Sequence, residues 1–158
     1  MLHTKNTITI DAPLEVIFDL AAEVTRWPQL LPHYRFVREL DPPTPVAPRC
    51  RRVVAMSARR TGIPVSWTST QEIDRDARQV RYHHLVGATR GMDVVWRFEP
   101  RSGAVEVTID HHLESARWWF RLPGVEHIVG SLFVMHIADR TLRGIKLQAE
   151  AARAQVST

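Results

Sequence analysis

The side chains of this sequence that suit proton transfer are the hydroxyl of Tyr34 and the imidazoles of His84 and His111. A tyrosine can donate a hydrogen bond to a carbonyl oxygen, and one with a lowered pKa can exchange a proton. A histidine can act as a base near neutral pH. Each residue also has a structural alternative, since a tyrosine can lie at the rim of a core and a buried histidine can be satisfied by its neighbours.

Two histidine pairs, His83–His84 and His111–His112, raise the question of a metal site. Adjacent residues of a strand point to opposite faces of a sheet, so one pair cannot chelate an ion from one face. The sequence has no cysteine or carboxylate cluster that would complete a ligand set, and no glycine-rich phosphate loop. The one cysteine, Cys50, rules out an internal disulfide and lacks the context of a nucleophile. We expect neither a metal nor a cofactor.

The composition is that of an ordinary globular protein, with 44% hydrophobic and 24% charged residues among 158. This length suits a single domain over residues 1–158. The net charge is +4, but the basic residues are scattered and do not form the basic face that nucleic-acid binding needs. The first residues lack a signal-peptide pattern, and no apolar stretch is long enough to span a bilayer. We therefore expect a cytoplasmic protein without a nucleic-acid partner or membrane contact.

Strand-like alternation recurs along most of the chain. The predicted strands are His3–Asp11, His33–Asp41, Arg51–Arg59, Val65–Asp74, Gln79–Val86, Gly91–Glu99 and Ala104–Leu113. Short turns join most of them, which indicates an antiparallel meander. The proline-rich segment Asp41–Arg49 is expected to be a stiff, exposed connection.

Helical signals fall at two places. Asp11 and Pro13 mark the start of a helix after the first strand, and Pro28 and Pro32 divide the next part of the chain into short pieces. A long segment, roughly Val125–Ala154, shows three- and four-residue apolar spacing. Gly130 favours a break within that segment. The long helix alone can cover the apolar face of a curved seven-stranded sheet, and the space between them would form a ligand cavity.

Alternation also predicts which side chains point into that cavity. The polar residues on the inward faces include Ser69, Gln71, His84 and His111. Buried polar groups need partners, so these residues either satisfy one another and trapped water or line a wet pocket that orients a polar ligand.

The stretch ITIDAPLEVIFDLAAEVTRWPQLLPHY, Ile8–Tyr34, resembles the opening of the polyketide cyclase/dehydrase branch of the START-like, helix-grip superfamily. DRTLRGIKLQAE, Asp139–Glu150, resembles the C-terminal helix of those proteins. The resemblance covers nearly the whole chain in element order. It implies an α+β helix-grip fold, in which a curved seven-stranded antiparallel sheet wraps around a long C-terminal helix and two short helices follow the first strand.

The functional group of closest resemblance is the bacterial aromatase/cyclases, which promote aldol closure and dehydration of a polyketide chain. Their Trp-Pro and pocket Tyr correspond to Trp27, Pro28 and Tyr34. Their tryptophan-rich strand ends in a pocket arginine, where VSWTSTQEI of this chain has Gln71. The resemblance makes Tyr34 and Gln71 the catalytic candidates. The substrate-binding candidates are Trp27, Trp67, Ser69, Tyr82, His84, Met92, Trp96 and His111.

The glutamine matters because an arginine would stabilise enolate charge, whereas a neutral amide supplies none. Arg52 or Arg140 could replace the missing cation if either faces inward. Trp118, Trp119 and Phe120 form a second conspicuous apolar stretch, which would serve as a lid, as packing, as a dimer surface or as a membrane contact.

Three functions stay open from the sequence. The first is a cyclase-like protein for an extended, oxygen-bearing hydrophobic molecule that an acyl carrier protein presents, acting as a monomer or a homodimer. The second is a non-catalytic carrier or sensor for a lipid or quinone, because the superfamily also holds such binders. The third is a toxin-like partner that blocks another complex.

Overall fold

Seven strands form one antiparallel sheet in the computed structural model, which describes residues 1–46, 49–114 and 134–156. The strands are β1 Leu2–Ile10, β2 Tyr34–Val46, β3 Arg49–Arg60, β4 Ile63–Asp74, β5 Gln79–Gly87, β6 Met92–Arg101 and β7 Ala104–Leu113. Their spatial order is β1-β7-β6-β5-β4-β3-β2. Strands β2 to β7 are therefore a continuous meander, and β1 lies beside β7. The predicted seven-stranded antiparallel α+β fold is confirmed.

The helices lie in two parts of the chain, between β1 and β2 and after the last strand. Helix α1 spans Leu14–Ala22, a single 3₁₀ turn spans Val24–Arg26, and the short helix α2 spans Trp27–Leu30. Helix α3 spans Met135–Val156. The earlier part of the predicted final helix, including Gly130, lies outside the described residues, as does the stretch Trp118–Phe120. None of the helices in the described ranges has the length and apolar character needed to cross a bilayer.

The sheet curves around α3. This helix contacts both β1 and β3 as well as α1. In a flat sheet β1 and β3 would be about 24 Å apart, because five strand spacings of about 4.8 Å separate them. Helix α3 is about 33 Å long and could span that distance on a flat sheet, but it would then pack equally closely on the strands between them. Because β1 and β3 are the strands that α3 approaches most closely, the sheet bends around it. The apolar inner face and α3 therefore enclose a common core.

Burial along the central strands follows the predicted alternation. In β6, Met92, Val94 and Trp96 are buried, whereas Asp93 between them is exposed. Strand β5 repeats the pattern, and the inward residues of β7 are all buried as well. In each of these strands every second side chain is thus directed toward α3, as a half-buried antiparallel sheet requires.

The proline-rich segment differs from the prediction. The sequence predicts a connection over Asp41–Arg49, but β2 continues through Val46 and β3 begins at Arg49. Strand β2 is an edge strand, where a proline can leave its missing N–H on the solvent side. The pairing with β3 shifts register on either side of Asp41, which accommodates the prolines as irregularities in the ladder.

A glycine in the middle of α3 allows α2 to approach that helix closely. A Cβ added to Gly144 would lie only 2.3 Å from Cδ2 of Leu31. Leu31 follows the last turn of α2 and is 1% exposed. The unfavourable helix propensity of Gly144 is therefore offset by the close packing of Leu31 against the backbone of α3.

The contact between Leu31 and Gly144 predicts that Gly144→Ala changes the free energy of unfolding in opposite directions in two backgrounds. Gly144→Ala should lower the free energy of unfolding by about 1–2 kcal/mol in the wild-type chain, because the overpacking cost exceeds the helix-propensity gain. In a Leu31→Ala background the same substitution should raise it by about 1 kcal/mol, because the clash is gone. Urea unfolding of the four proteins measures both effects. Equal effects of Gly144→Ala in the two backgrounds would contradict the packing.

Candidate functional site

A cavity of about 90 Å³ lies between the inner face of the sheet, α2 and α3. Its wall is mostly apolar and aromatic. It is formed by Trp27, Tyr34, Met56, Val65, Trp67, Tyr82, His84, Thr89, Met92, Val94, Trp96, Ile109, His111, Val134, Ile137, Ala138 and Thr141. No Asp, Glu, Lys or Arg is among the described residues that line it. A ligand here would meet hydroxyls, imidazoles and aromatic rings.

Aromatic rings form a continuous wall. The ring of Trp27 lies 4.9 Å from that of Tyr34 and 5.9 Å from that of Trp96, measured between centroids. Tyr34 also approaches Trp67 at 6.4 Å, and the imidazole of His84 stacks on Trp67 at 5.7 Å. Such offset and tilted arrangements are favourable between aromatic rings and restrict their rotation. The wall therefore presents large flat surfaces in fixed positions.

The short helix α2 places Trp27 and Tyr34 at the cavity. Pro28 suits the first turn of a helix, and Pro32 follows its end, so α2 is held to one turn. The indole Nε1 of Trp27 donates a hydrogen bond of 2.8 Å to the carbonyl of Leu20 in α1. Tyr34 then begins β2, and its backbone N–H donates to the carbonyl of Leu31. The broken helix and the start of β2 thereby place both aromatic side chains in the cavity wall.

The hydroxyl of Tyr34 is buried and already has a protein partner. It lies 3.3 Å from Oγ1 of Thr141. Thr141 has a single proton, and its shorter contact of 2.8 Å is to the carbonyl of Ile137. This proton is therefore shared between the carbonyl of Ile137 and the oxygen of Tyr34, which accepts, and Nε2 of His33 lies 2.9 Å from the same oxygen of Thr141. Burial raises the pKa of the Tyr34 phenol, so it remains neutral at physiological pH.

The two cavity histidines are neutral and weakly basic. Burial lowers the pKa of His84 to about 3, with the nearby His111 and His83 adding to the effect. Burial likewise lowers the pKa of His111 to about 4. Nδ1 of His84 lies 2.7 Å from Oγ1 of Thr89, whereas Nδ1 of His111 has no hydrogen-bond partner among the described residues. At neutral pH both rings can accept hydrogen bonds, but neither carries charge.

Gln71 and Ser69 are inward but do not line the cavity, unlike the expectation for two pocket residues. Both are fully buried. The amide of Gln71 is held by Arg52 at 2.5 Å, by the carbonyl of Ala22 at 2.9 Å and by the hydroxyl of Tyr82 at 3.0 Å. Oγ of Ser69 has no hydrogen-bond partner in the described part of the chain. The end of α1 covers this part of the sheet, so an inward side chain there meets protein.

Arg52 is a buried cation in contact with Gln71, behind the cavity wall. Its side chain is 7% exposed. It donates to Gln71, to the carboxylate of Glu39 at 3.0 Å and to the carbonyl of Ala22 at 2.9 Å. Ala22 ends α1, where carbonyls lack helical partners and the helix dipole favours a positive charge. Arg140, the other cation considered, is exposed on α3.

The structure brings most of the predicted site residues together around one cavity. They are Trp27, Tyr34, Trp67, Tyr82, His84, Met92, Trp96 and His111. Sequence reasoning missed Met56, Thr89 and Thr141. Met56 could have been found from the alternation of β3, but the contacts of Thr141 depend on how α3 lies across the sheet. In the described ranges, His, Cys, Asp and Glu side chains do not gather in groups of three that could hold a metal ion.

The lowered histidine pKa values predict a loss of stability in mild acid. The unfolded chain binds protons at its histidines near pH 6.5, whereas His84 and His111 in the folded protein bind them only near pH 3 to 4. The free energy of unfolding should therefore fall as the pH drops below about 6.5, by up to about 1.4 kcal/mol per pH unit for each histidine. His84→Asn should reduce the dependence of this free energy on pH by about the contribution of one histidine. Urea unfolding at several pH values measures it, with the exposed His83→Asn as control, and an unchanged slope in His84→Asn would refute the prediction.

The contact between Arg52 and Gln71 predicts how the free energy of unfolding responds when the two residues are exchanged. Gln71→Arg should lower the free energy of unfolding by about 3 kcal/mol, because a second guanidinium would face Arg52 without a partner. The double variant Arg52→Gln with Gln71→Arg should recover much of that loss, since one cation and one amide are again paired. Thermal and urea unfolding give the values, and Arg51→Gln, exposed on β3, is the matched control. Additive losses in the double variant would argue against the pairing.

Comparison with known proteins agrees with this architecture. A curated relative from Streptomyces halstedii, named "Putative polyketide cyclase", is 33% identical over 98 residues, which are 61% of this chain and 87% of the relative. The Zhui aromatase/cyclase from Streptomyces sp. R1128 superposes with a TM-score of 0.74 at 20% identity, covering 94% of this chain and 93% of its own. At that identity the likeness shows the fold.

A two-domain protein of known structure matches this chain at a higher identity than Zhui does. BexL, a di-domain aromatase/cyclase of the BE-7585A biosynthetic pathway, superposes with a TM-score of 0.74 at 26% identity, covering 95% of this chain but 47% of BexL. The family model described as polyketide cyclase/dehydrase and lipid transport matches residues 10–124, well over half of the sequence. The chain therefore belongs to the polyketide cyclase/dehydrase and lipid transport family.

Proposed function

We propose that this protein binds an extended, oxygen-bearing hydrophobic molecule in its cavity and acts on it as a polyketide aromatase/cyclase. The observation that supports this most is the cavity wall of Trp27, Trp67 and Trp96 with the hydroxyl of Tyr34 among them. Flat aromatic surfaces suit a chain that becomes a planar ring. Membership of the polyketide cyclase/dehydrase family points in the same direction.

The reaction would be an aldol closure followed by dehydration. A methylene group between two carbonyls of the substrate loses a proton, and its carbon forms a bond to a carbonyl carbon further along the same chain. The oxygen of that carbonyl takes up a proton to become a hydroxyl, which leaves as water when the ring becomes unsaturated. Enclosing the chain in a folded shape supplies much of the rate enhancement, because it brings the two carbons together.

The cavity residues have limited but distinct roles in this scheme. His84 and His111 are neutral and can accept a proton, although their lowered pKa values make them weak bases. The Tyr34 hydroxyl is a neutral hydrogen-bonding group and stays protonated, since its pKa is raised. Orientation of the chain and exclusion of water are therefore the main contributions we assign to this site.

Binding of such a ligand requires adjustment of the wall. The cavity of about 90 Å³ is smaller than the roughly 300–1,000 Å³ that small-molecule pockets usually have. Met56 and Met92 line it, and their unbranched side chains can change rotamer at low cost. We propose that these methionines move to admit the chain, which an acyl carrier protein would deliver.

A second candidate is a non-catalytic carrier for a lipid or quinone. The absence of a charged side chain among the described cavity-lining residues favours it, because a carrier needs shape and apolar surface but no catalytic charge. The two functions differ in one observable respect. A carrier returns its ligand unchanged, whereas a cyclase alters the product distribution of a polyketide synthase.

The decisive experiment supplies the protein with a poly-β-ketone chain on its acyl carrier protein and measures the ring pattern of the products. The wild-type protein should increase one regiospecific aromatic product, and Tyr34→Phe should reduce that increase about tenfold, because it lacks a hydroxyl that orients the chain. His83→Asn, on the outer face of β5, is the control and should leave it unchanged.

An unchanged product distribution with the wild-type protein would refute the cyclase proposal. If native mass spectrometry then finds a lipid or quinone held intact in the cavity, the carrier is the better description.

A further inference from the structure

The orientation of the Gln71 amide is determined by Arg52. A guanidinium has only hydrogen-bond donors, so the atom of Gln71 that lies 2.5 Å from Nε of Arg52 must be the carbonyl oxygen Oε1. The amide nitrogen Nε2 then faces the carbonyl of Ala22 and the hydroxyl of Tyr82. The carbonyl of Ala22 can only accept, which agrees with this orientation. Both hydrogens of Nε2 are thus directed at these two oxygens.

This orientation determines what the Tyr82 hydroxyl can do. Because Nε2 of Gln71 donates to it at 3.0 Å, the phenolic oxygen must accept. Its own proton then points elsewhere, and no second hydrogen bond of Tyr82 occurs within the described residues. Tyr82 is 7% exposed and lines the cavity. A buried O–H without an acceptor costs free energy, which a ligand oxygen would recover.

The hydroxyl of Tyr34 has a different donor. Its oxygen accepts from Thr141 at 3.3 Å, and Thr141 shares its single proton with the carbonyl of Ile137. The oxygen of Tyr82 accepts at the shorter distance of 3.0 Å from Gln71. Of the two tyrosines of the chain, Tyr82 is therefore the one whose oxygen is held by an amide that a buried cation orients.

We propose that the Tyr82 hydroxyl donates a hydrogen bond to a carbonyl or enolate oxygen of the ligand in the cavity, and that Gln71 and Arg52 are its positioning residues. This inference rests on the proposed binding of an oxygen-bearing molecule in the cavity. It also assigns a role to Gln71, the neutral residue at the position that the family resemblance aligns with a pocket arginine. The positive charge is that of Arg52, which contacts Gln71 on the side away from the cavity.

The arrangement favours an oxygen that becomes negative during reaction. Hydrogen bonds in series polarise one another, so the positive charge of Arg52 strengthens the donor character of the Gln71 amide and, through it, of Tyr82. The stabilisation grows as charge develops on the ligand oxygen, because the donors are already in place. Neutral ketones should therefore bind through this contact, and enolates formed from them more strongly.

The test uses two probes that differ in one oxygen, 1-indanone and indane. Binding of each is measured by isothermal titration calorimetry, which needs no chromophore or quencher on the probe. The carbonyl stretching frequency of bound 1-indanone is then measured by infrared difference spectroscopy. A hydrogen bond from Tyr82 should lower that frequency relative to its value in cyclohexane. Indane reports the apolar fit alone.

Two variants separate the donor from its positioning residue. Tyr82→Phe removes the donor. Gln71→Glu keeps the contact with Arg52 but replaces the donating NH₂ by an acceptor, so the Tyr82 proton should turn from the cavity to the new carboxylate. Both should weaken 1-indanone binding about five- to tenfold and restore the apolar-solvent carbonyl frequency, with indane binding unchanged. Arg81→Gln, on the outer face of β5, should behave as wild type.

The outcomes distinguish this inference from the proposed function. If 1-indanone and indane bind wild-type protein but the carbonyl frequency equals that in cyclohexane, the donor role of Tyr82 is wrong. The proposal that the cavity binds a hydrophobic ligand is then still supported. The same conclusion follows if Tyr82→Phe keeps the lowered frequency. If neither probe binds, the ligand-binding cavity itself is refuted, and the donor with it. The wild-type spectrum alone decides whether the bound carbonyl accepts a hydrogen bond, even if a variant fails to fold.

Discussion

The buried guanidinium of Arg52 is the interaction on which the site of this protein depends. A charge removed from water is tolerated only when its hydrogen bonds are satisfied, and here Glu39, Gln71 and the carbonyl of Ala22 satisfy it. These partners belong to β2, β4 and the last residue of α1. One cation on β3 therefore connects three strands to the end of a helix, and a shift of α1 would break its hydrogen bond to Ala22.

This arrangement separates charge from the ligand surface. The cation lies behind the wall, where carboxylate and carbonyl oxygens surround it, while the wall itself consists of aromatic rings, hydroxyls and neutral imidazoles. Burial keeps both cavity histidines neutral and both tyrosines protonated. A hydrophobic molecule can thus enter without meeting an unpaired charge. Hydrogen bonds through Gln71 and Tyr82 connect Arg52 to the cavity.

Contacts of two residues, Trp27 and Leu31, fix the position of α2 at the cavity. Trp27 is held by its hydrogen bond to Leu20 and by the rings of Tyr34 and Trp96. Leu31, at the end of the same short helix, packs where Gly144 leaves room. Because α2 has a single turn and little stability of its own, its position depends on these contacts with α1, the sheet and α3.

Much of the fold was determined by the sequence itself. Period-two alternation predicts which residues of β5, β6 and β7 face inward, since a strand cannot turn one side chain without turning all of them. Pro28 and Pro32 limit α2, because proline lacks the N–H that a longer helix needs. Only the tertiary structure decided what each inward side chain meets. Gln71 and Tyr82 are inward by the same rule, yet the end of α1 covers one while the other reaches the cavity, because packing between distant segments leaves no local pattern.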